Sequence, residues 1–177
     1  MAWFARPPHI EDLVTDHYES VYRFAFRLSG SASEADDLTQ ETFCQAHTKI
    51  GQLRNSSSPR GWLFTIVRNA YLHRLRSRKI ANTVSLDETN EPIERWDAEP
   101  ITIDPEKLQG VLNDMPEVFR TALILYFFEE FSYRQIADQL GVPVGTVMSR
   151  LARAKAFLRD RLLRIEPALA WGRKEDA

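Results

Sequence analysis

An all-α fold of two small helical domains joined by an acidic linker is what this sequence predicts, on three grounds. Apolar residues recur at helical spacing along most of the chain, no run alternates as a strand would, and the middle segment 81–104 breaks the pattern. That segment holds two prolines and seven acidic side chains against one basic. Such a composition buries too little to fold alone and suits a linker. A chain of 177 residues with 44% hydrophobic content is long enough for a core on either side.

The first helix is predicted over 10–29, where Val14, Tyr18, Val21, Ala25 and Leu28 follow helical spacing up to Ser29-Gly30. Ser33 can cap a second helix with Glu34, Asp36 and Asp37 in its first turn, at the positive end of the helix dipole. Leu38, Thr42, Ala46 and Ile50 can then face inward. Its outer face brings Asp37, Gln40 and Glu41 together at i, i+3 and i+4, a patch that is either solvated or a docking point for a basic partner. Gly51 to Gly61, GQLRNSSSPRG, reads as a loop.

A third helix runs from Trp62 to about Ile80. Its second half, RNAYLHRLRSRK, carries Arg68, Arg74, Arg76, Arg78 and Lys79 with no acid, interleaved with Tyr71 and His73. That mixture suits phosphate contacts and stacking on an unpaired base; a basic helix end favoured by the macrodipole is the alternative. From Pro105 the helical signal returns in Leu108, Val111, Leu112 and Met115, then in Phe119, Leu123, Tyr126 and Phe127. The end, 166–177, is a polar tail containing Trp171.

Phe131 to Leu158, FSYRQIADQLGVPVGTVMSRLARAKAFL, reads as a helix-turn-helix. Ser132 is a candidate N-cap for a helix burying Ile136, Ala137 and Leu140, Gly141 can take the left-handed conformation that ends it, and Pro143 fits the first position of the next. Val147, Leu151, Ala154 and Leu158 make one apolar stripe. Thr146, Ser149, Arg150 and Arg153 line up over about two turns on another side, the length a recognition helix presents to a major groove. No acid occurs from Gln139 to Arg159. An ordinary amphipathic hairpin with a solvated basic face shares this periodicity, but usually mixes its charges.

The formal net charge of −2 conceals a strong asymmetry. Residues 1–80 hold 11 basic and 8 acidic side chains, net +3; residues 81–104 hold 1 and 7, net −6; residues 105–177 hold 11 and 10, net +1. The whole-chain balance therefore says nothing against a nucleic-acid partner. Cys44 is the single cysteine, which excludes an intrachain disulfide and suits a reducing compartment, the cytoplasm. Cys44 and His47 stand one turn apart but have no second pair, so no metal and no cofactor are expected. No apolar run approaches the roughly 20 residues of a membrane helix, and no secretory-type apolar core occurs near the start, so a soluble protein without membrane insertion is expected.

Taken together, DLTQETF at 37–43, WLFTIVRN at 62–69 with the following RLRSRK, and MPEVFRTALILYFFEEFSYRQIADQLGVPVGTVMSRLARAKAFL at 115–158 resemble the extracytoplasmic-function (ECF) group of bacterial sigma factors. The resemblance covers nearly the whole chain. It implies sigma region two over 9–80, a flexible acidic linker over 81–104, sigma region four over 105–165 and a polar tail over 166–177. It implies a non-enzymatic protein that binds core RNA polymerase, directs it to promoter DNA and helps open the duplex, with an anti-sigma factor as a further partner and no small-molecule substrate.

By the same resemblance Asp37, Gln40 and Glu41 would contact the polymerase clamp. Arg54, Asn55, Ser56, Ser57, Arg60 and Trp62 would grip the minus-ten element, the loop taking up a flipped base whose edge Asn55, Ser56 and Ser57 can read. Arg68, Asn69, Arg74, Arg76, Arg78 and Lys79 would hold strand and duplex phosphates. Thr146, Ser149, Arg150 and Arg153 would enter the major groove of the minus-thirty-five element, with Arg134 and Lys155 on the backbone. Met148 stands where many members carry Arg or Lys, so one contact common in the family is expected to be missing. The linker's net −6 suggests mimicry of nucleic acid along the polymerase's active-site path.

Two other functions fit parts of the chain. A stand-alone helix-turn-helix regulator with a sensing or dimerising N-terminal half would leave the basic, aromatic helix ending at Lys79 without a purpose. An enzyme on a helical scaffold lacks support, because His9, His17, His47 and His73 form no paired ligand motif and no Gly-rich phosphate loop occurs.

Overall fold

A computed structural model of the chain describes residues 9–55, 58–79 and 104–165. Among them are seven α-helices, a short 3-10 turn and no strand. The chain divides into two compact units, Met1–Asp87 and Glu88–Ala177. The segment expected to be a linker, 81–104, and the tail 166–177 lie outside the described residues, apart from Asp104.

In the first unit α1 (Ile10–Ser29), α2 (Ala32–Lys49) and α3 (Pro59–Lys79) pack on one another around Leu13, Val21, Phe24, Ala25, Leu28, Leu38, Ala46, Leu63, Phe64 and Val67. Of the predicted α1 stripe, Val21, Ala25 and Leu28 are buried, while Val14 and Tyr18 are not. Leu13 and Phe24 enter the core, while Val14 is half-buried and Tyr18 stays 47% exposed, stacked on Phe43 of α2. The Phe24 ring, with no hydroxyl to satisfy, stacks on Phe64 in the core. Gly30 closes α1 at φ 71°, its N–H bonded to the Phe26 carbonyl.

Two boundaries differ from expectation. Ser31, not Ser33, caps α2, because its hydroxyl accepts the Glu34 N–H and the helix already begins at Ala32. α3 begins at Pro59, not Trp62. Proline suits a first helical position, and Ser58 supplies both the carbonyl for the Trp62 N–H at 3.0 Å and a hydroxyl for the Gly61 N–H at 3.2 Å. The stretch before it, Ile50–Asn55, is a 3-10 turn pinned by buried Leu53. The inward hydroxyls of Thr39 and Thr42 stay satisfied by donating to the Ala35 and Leu38 carbonyls at 2.7 and 2.6 Å.

The second unit comprises α4 (Pro105–Asp114), α5 (Glu117–Phe127), α6 (Tyr133–Leu140) and α7 (Val144–Ile165). Asp104 caps α4 through the Glu106 N–H at 2.9 Å, with Pro105 in the first turn. The core joins Leu112, Met115, Leu123 and Ala154, with Leu108, Phe119, Phe128, Phe157 and Leu158 packed against it. α5 is the central element, buried continuously from Arg120 to Leu125. α7 runs past Leu158 to Ile165, burying Leu162 on the same stripe as Val147, Leu151 and Ala154.

Candidate nucleic-acid interface

The helix-turn-helix is built by local chemistry at both ends of α6. Ser132 Oγ accepts the Gln135 N–H at 3.3 Å while Gln135 Oε1 accepts the Ser132 N–H at 2.8 Å, a reciprocal capping box that fixes where the helix starts. Gly141 ends it at φ 65°, and the Val142 N–H returns to the Ala137 carbonyl at 3.1 Å. Pro143 precedes α7 as its cap rather than occupying the first helical position. Its carbonyl accepts from the N–H groups of Thr146 and Val147 at 2.9 and 3.2 Å, and its missing N–H costs nothing there. Ile136 and Ala137 are buried as expected; Leu140 is half-buried, because it sits in the last turn beside the chain reversal.

On α7, Thr146, Ser149, Arg150 and Arg153 are all partly exposed, consistent with their lying off the buried stripe. Ser149 Oγ donates to the Thr146 carbonyl at 3.0 Å, which leaves its lone pairs available as acceptors. The Arg153 guanidinium lies 5.9 Å from the Phe119 ring, a cation–π contact that orients it. Lys155 has a different setting. Its Nζ sits 5.7 Å from the Tyr126 ring and 5.6 Å from the Phe127 ring, and burial pulls its pKa below the usual lysine range. Tyr126 also packs 5.2 Å from Tyr133, whose phenol is raised by burial and by its hydrogen bond to Tyr126. Arg134 is exposed on α6, and Met148 is half-buried.

In the first unit most of the predicted nucleic-acid residues, from Arg60 to Lys79, lie on α3. Trp62 is half-buried, Asn69 and Arg76 are exposed, and the Arg60 guanidinium lies over the Phe64 ring at 5.3 Å. Arg68 is half-buried. Arg54 and Asn55 belong to the 3-10 turn, with side chains outside the described set; Ser56 and Ser57 lie outside the described residues, and so does the side chain of Lys79 at the end of α3.

The remaining α3 cations are committed to carboxylates of α2. Arg74 Nη2 donates to Glu41 Oε2 at 2.7 Å and its Nη1 lies 3.8 Å from Asp37 Oδ2. Arg78 Nη1 donates to Glu34 Oε2 at 3.2 Å. Glu41 Oε1 accepts from Gln45 Nε2 at 3.1 Å, and Gln45 Oε1 accepts from Lys49 Nζ at 3.1 Å. Residues predicted to serve two different partners thus bond to each other. Gln45 and Lys49, which extend the Arg74–Glu41 contact, and Glu34, which pairs separately with Arg78, were missed, although the i, i+4 spacing of Glu41, Gln45 and Lys49 was legible.

Among the described residues no group of three or more His, Cys, Asp or Glu could hold a metal ion, and no helix is long and apolar enough to cross a membrane.

Family comparison matches residues 13–80 to Sigma-70 region 2 and residues 106–158 to Sigma-70 region 4. The ECF RNA polymerase sigma factor SigE of Mycolicibacterium smegmatis is 37% identical over 163 residues, covering 89% of this chain and 63% of that protein. EcfG of Rhodopseudomonas palustris, also an ECF RNA polymerase sigma factor, is 33% identical over 153 residues, covering 86% of this chain and 84% of the relative. Among solved structures, the sigma factor RpoE from Bartonella quintana, crystallised with the anti-sigma factor NepR, aligns with a TM-score of 0.69 at 28% identity over 86% of this chain and 95% of that one. CnrH, solved with the cytosolic domain of CnrY, shares the fold at a TM-score of 0.57 and 21% identity, over 89% of this chain and 88% of that one. With both units matched and the two-helical-domain architecture in common, the chain belongs to the ECF RNA polymerase sigma factors.

Proposed function

We propose that this protein binds core RNA polymerase and directs it to promoters, region two (9–80) opening and reading the minus-ten element and region four (105–165) reading the minus-thirty-five element. The observation that carries this is the pairing, within one chain, of a capped helix-turn-helix bearing Thr146, Ser149, Arg150 and Arg153 with a second helical unit bearing the cationic face of α3. Arg150 and Arg153 can bond guanine bidentately, and Thr146 and Ser149 serve base edges or phosphates. Arg134 and Lys155 flank them on the DNA backbone. Arg54, Asn55, Ser56, Ser57, Arg60 and Trp62 read and grip the opened minus-ten strand, and Arg68, Asn69, Arg76 and Lys79 hold its phosphates.

Each unit offers only a handful of cationic contacts, too few for tight binding at physiological salt. Holding both on one polymerase converts two weak recognitions into one strong one through effective concentration. No chemistry is asked of the protein itself. Capture of an unstacked base contributes about 1–3 kcal/mol, enough to bias a duplex already strained by the polymerase. Asp37, Gln40 and Glu41 on α2 form the polymerase-docking ridge. The co-crystallised anti-sigma factor on RpoE supports an inhibitory protein as a further partner, and the protein acts in the cytoplasm.

Run-off transcription with purified core polymerase on a promoter library tests this reading. Polymerase-dependent initiation at promoters sharing two spaced elements is expected. Failure to associate with polymerase, together with tight operator binding by the isolated protein, would replace it with a stand-alone regulator.

A further inference from the structure

The cationic half of α3 does not act as one surface. Arg74 and Arg78 point back across the helix pair to Glu41 and Glu34, whereas Arg76 is exposed. The Arg74 side chain is only 27% exposed, and one guanidinium bridges two carboxylates of α2, Glu41 at 2.7 Å and Asp37 at 3.8 Å. From Arg74 the contacts continue through Glu41 and Gln45 to Lys49, so both carboxylate oxygens of Glu41 are occupied. Asp37 retains 65% side-chain exposure, and Gln40 beside it is exposed.

We infer that Arg74 is a positioning residue of the polymerase-docking ridge and not a nucleic-acid contact. To grip a phosphate it would have to give up its 2.7 Å charge-assisted hydrogen bond to Glu41. Held in place, its planar fork fixes the Glu41 rotamer and the spacing between α2 and α3 at the ridge. Asp37 and Gln40 are then presented in one arrangement, so docking loses less side-chain entropy. Arg78 fastens the first turn of α2 in the same way through Glu34, whose side chain is 13% exposed. This inference rests on the polymerase-docking reading of α2 proposed above.

Two measurements on full-length protein separate the roles: affinity for core polymerase without DNA, and the salt dependence of holoenzyme binding to a forked minus-ten DNA. Arg74→Ala is expected to weaken polymerase binding about tenfold while leaving the salt slope of DNA binding unchanged. Arg76→Ala is expected to do the reverse, lowering the salt slope by about one. In a Glu41→Ala background Arg74→Ala should weaken polymerase binding by less than about twofold, since the acceptor of the 2.7 Å contact is already gone. Arg74→Lys, which keeps the charge and loses the fork, should fall between wild type and Arg74→Ala and tests the same point if the alanine variant folds poorly. Unchanged polymerase affinity in both variants, with the salt slope reduced in Arg74→Ala and kept in Arg74→Lys, would overturn the inference and restore Arg74 to the phosphate contacts. If wild-type protein itself fails to bind polymerase, the docking reading falls instead.

Discussion

Phe24 of α1 and Phe64 of α3 stack in the core of the first unit, with ring centroids 4.4 Å apart and planes 18° from parallel. Both rings are almost fully buried, so their contact ties the first and last helices of the unit together around α2. Phe24→Ala should destabilise this unit by about 3–5 kcal/mol, since the residual cavity lies among fixed helices. Hydrogen exchange should register lost protection in α1–α3 while α4–α7 keep theirs. Equal loss in both units would mean that they unfold as one.

The Ser132–Gln135 box and Gly141 bracket α6. Ser132→Ala should cost about 0.5–2 kcal/mol of unit stability, and Gly141→Ala about 1–2 kcal/mol, because a Cβ is strained at φ 65° although no neighbouring atom blocks it. Denaturant midpoints check both. A neutral Gly141→Ala would show that the turn before Pro143 can relax.

Glu130 carries a positive φ of 57° in the turn between α5 and α6, which closes when the Phe131 N–H bonds the Leu125 carbonyl at 2.9 Å. Glycine adopts that conformation without strain, so Glu130→Gly should stabilise the unit by roughly 0.5–1 kcal/mol after its larger unfolded-state entropy is counted. Glu130→Val should destabilise it. Thermal unfolding of the pair decides, and the opposite order would refute the strain argument.

Tyr133 and Lys155 give region four an alkaline signature. Burial raises the Tyr133 phenol, so the neutral form is favoured in the fold; that stability is complete below about pH 10 and is lost as pH rises through the raised folded value. Burial lowers the Lys155 pKa, so the unfolded chain holds its proton more tightly and stability rises with pH between the lowered folded value and about 10.4. Absorbance titration of the phenols should lose a component that titrates above the ordinary phenol range in Tyr133→Phe. The unfolding free energy of Lys155→Met should rise less steeply than wild type over the lysine window.

Arg153 is oriented by Phe119. Arg153→Ala should cost about 1–3 kcal/mol at the cognate minus-thirty-five element and less on a scrambled one, as expected of a base-edge contact. Run-off yields from matched templates measure this. Equal losses on both would identify a phosphate contact.

The helices, the Gly30 and Gly141 stops, the Ser132 cap and the basic faces were legible in the sequence, because each depends on neighbours within about one turn. The start of α3 was missed because Pro59 lies in a serine-rich stretch with the composition of a loop, and helical hydrogen bonds from Ser58 override that composition. On α1 Val21, Ala25 and Leu28 are buried as the spacing indicated, while only the packing of Leu13 and of Phe24 against Phe64 decides that these two, and not Val14 and Tyr18, complete the face. Periodicity and turn chemistry therefore determined an all-α chain with a helix-turn-helix, and the motifs at 37–43, 62–69 and 115–158 carried its resemblance to the ECF sigma factors. Tertiary structure alone decided which charges are spent inside the molecule: Arg74 and Glu41 are 33 residues apart in the chain, and only the packing of α3 on α2 brings them to 2.7 Å.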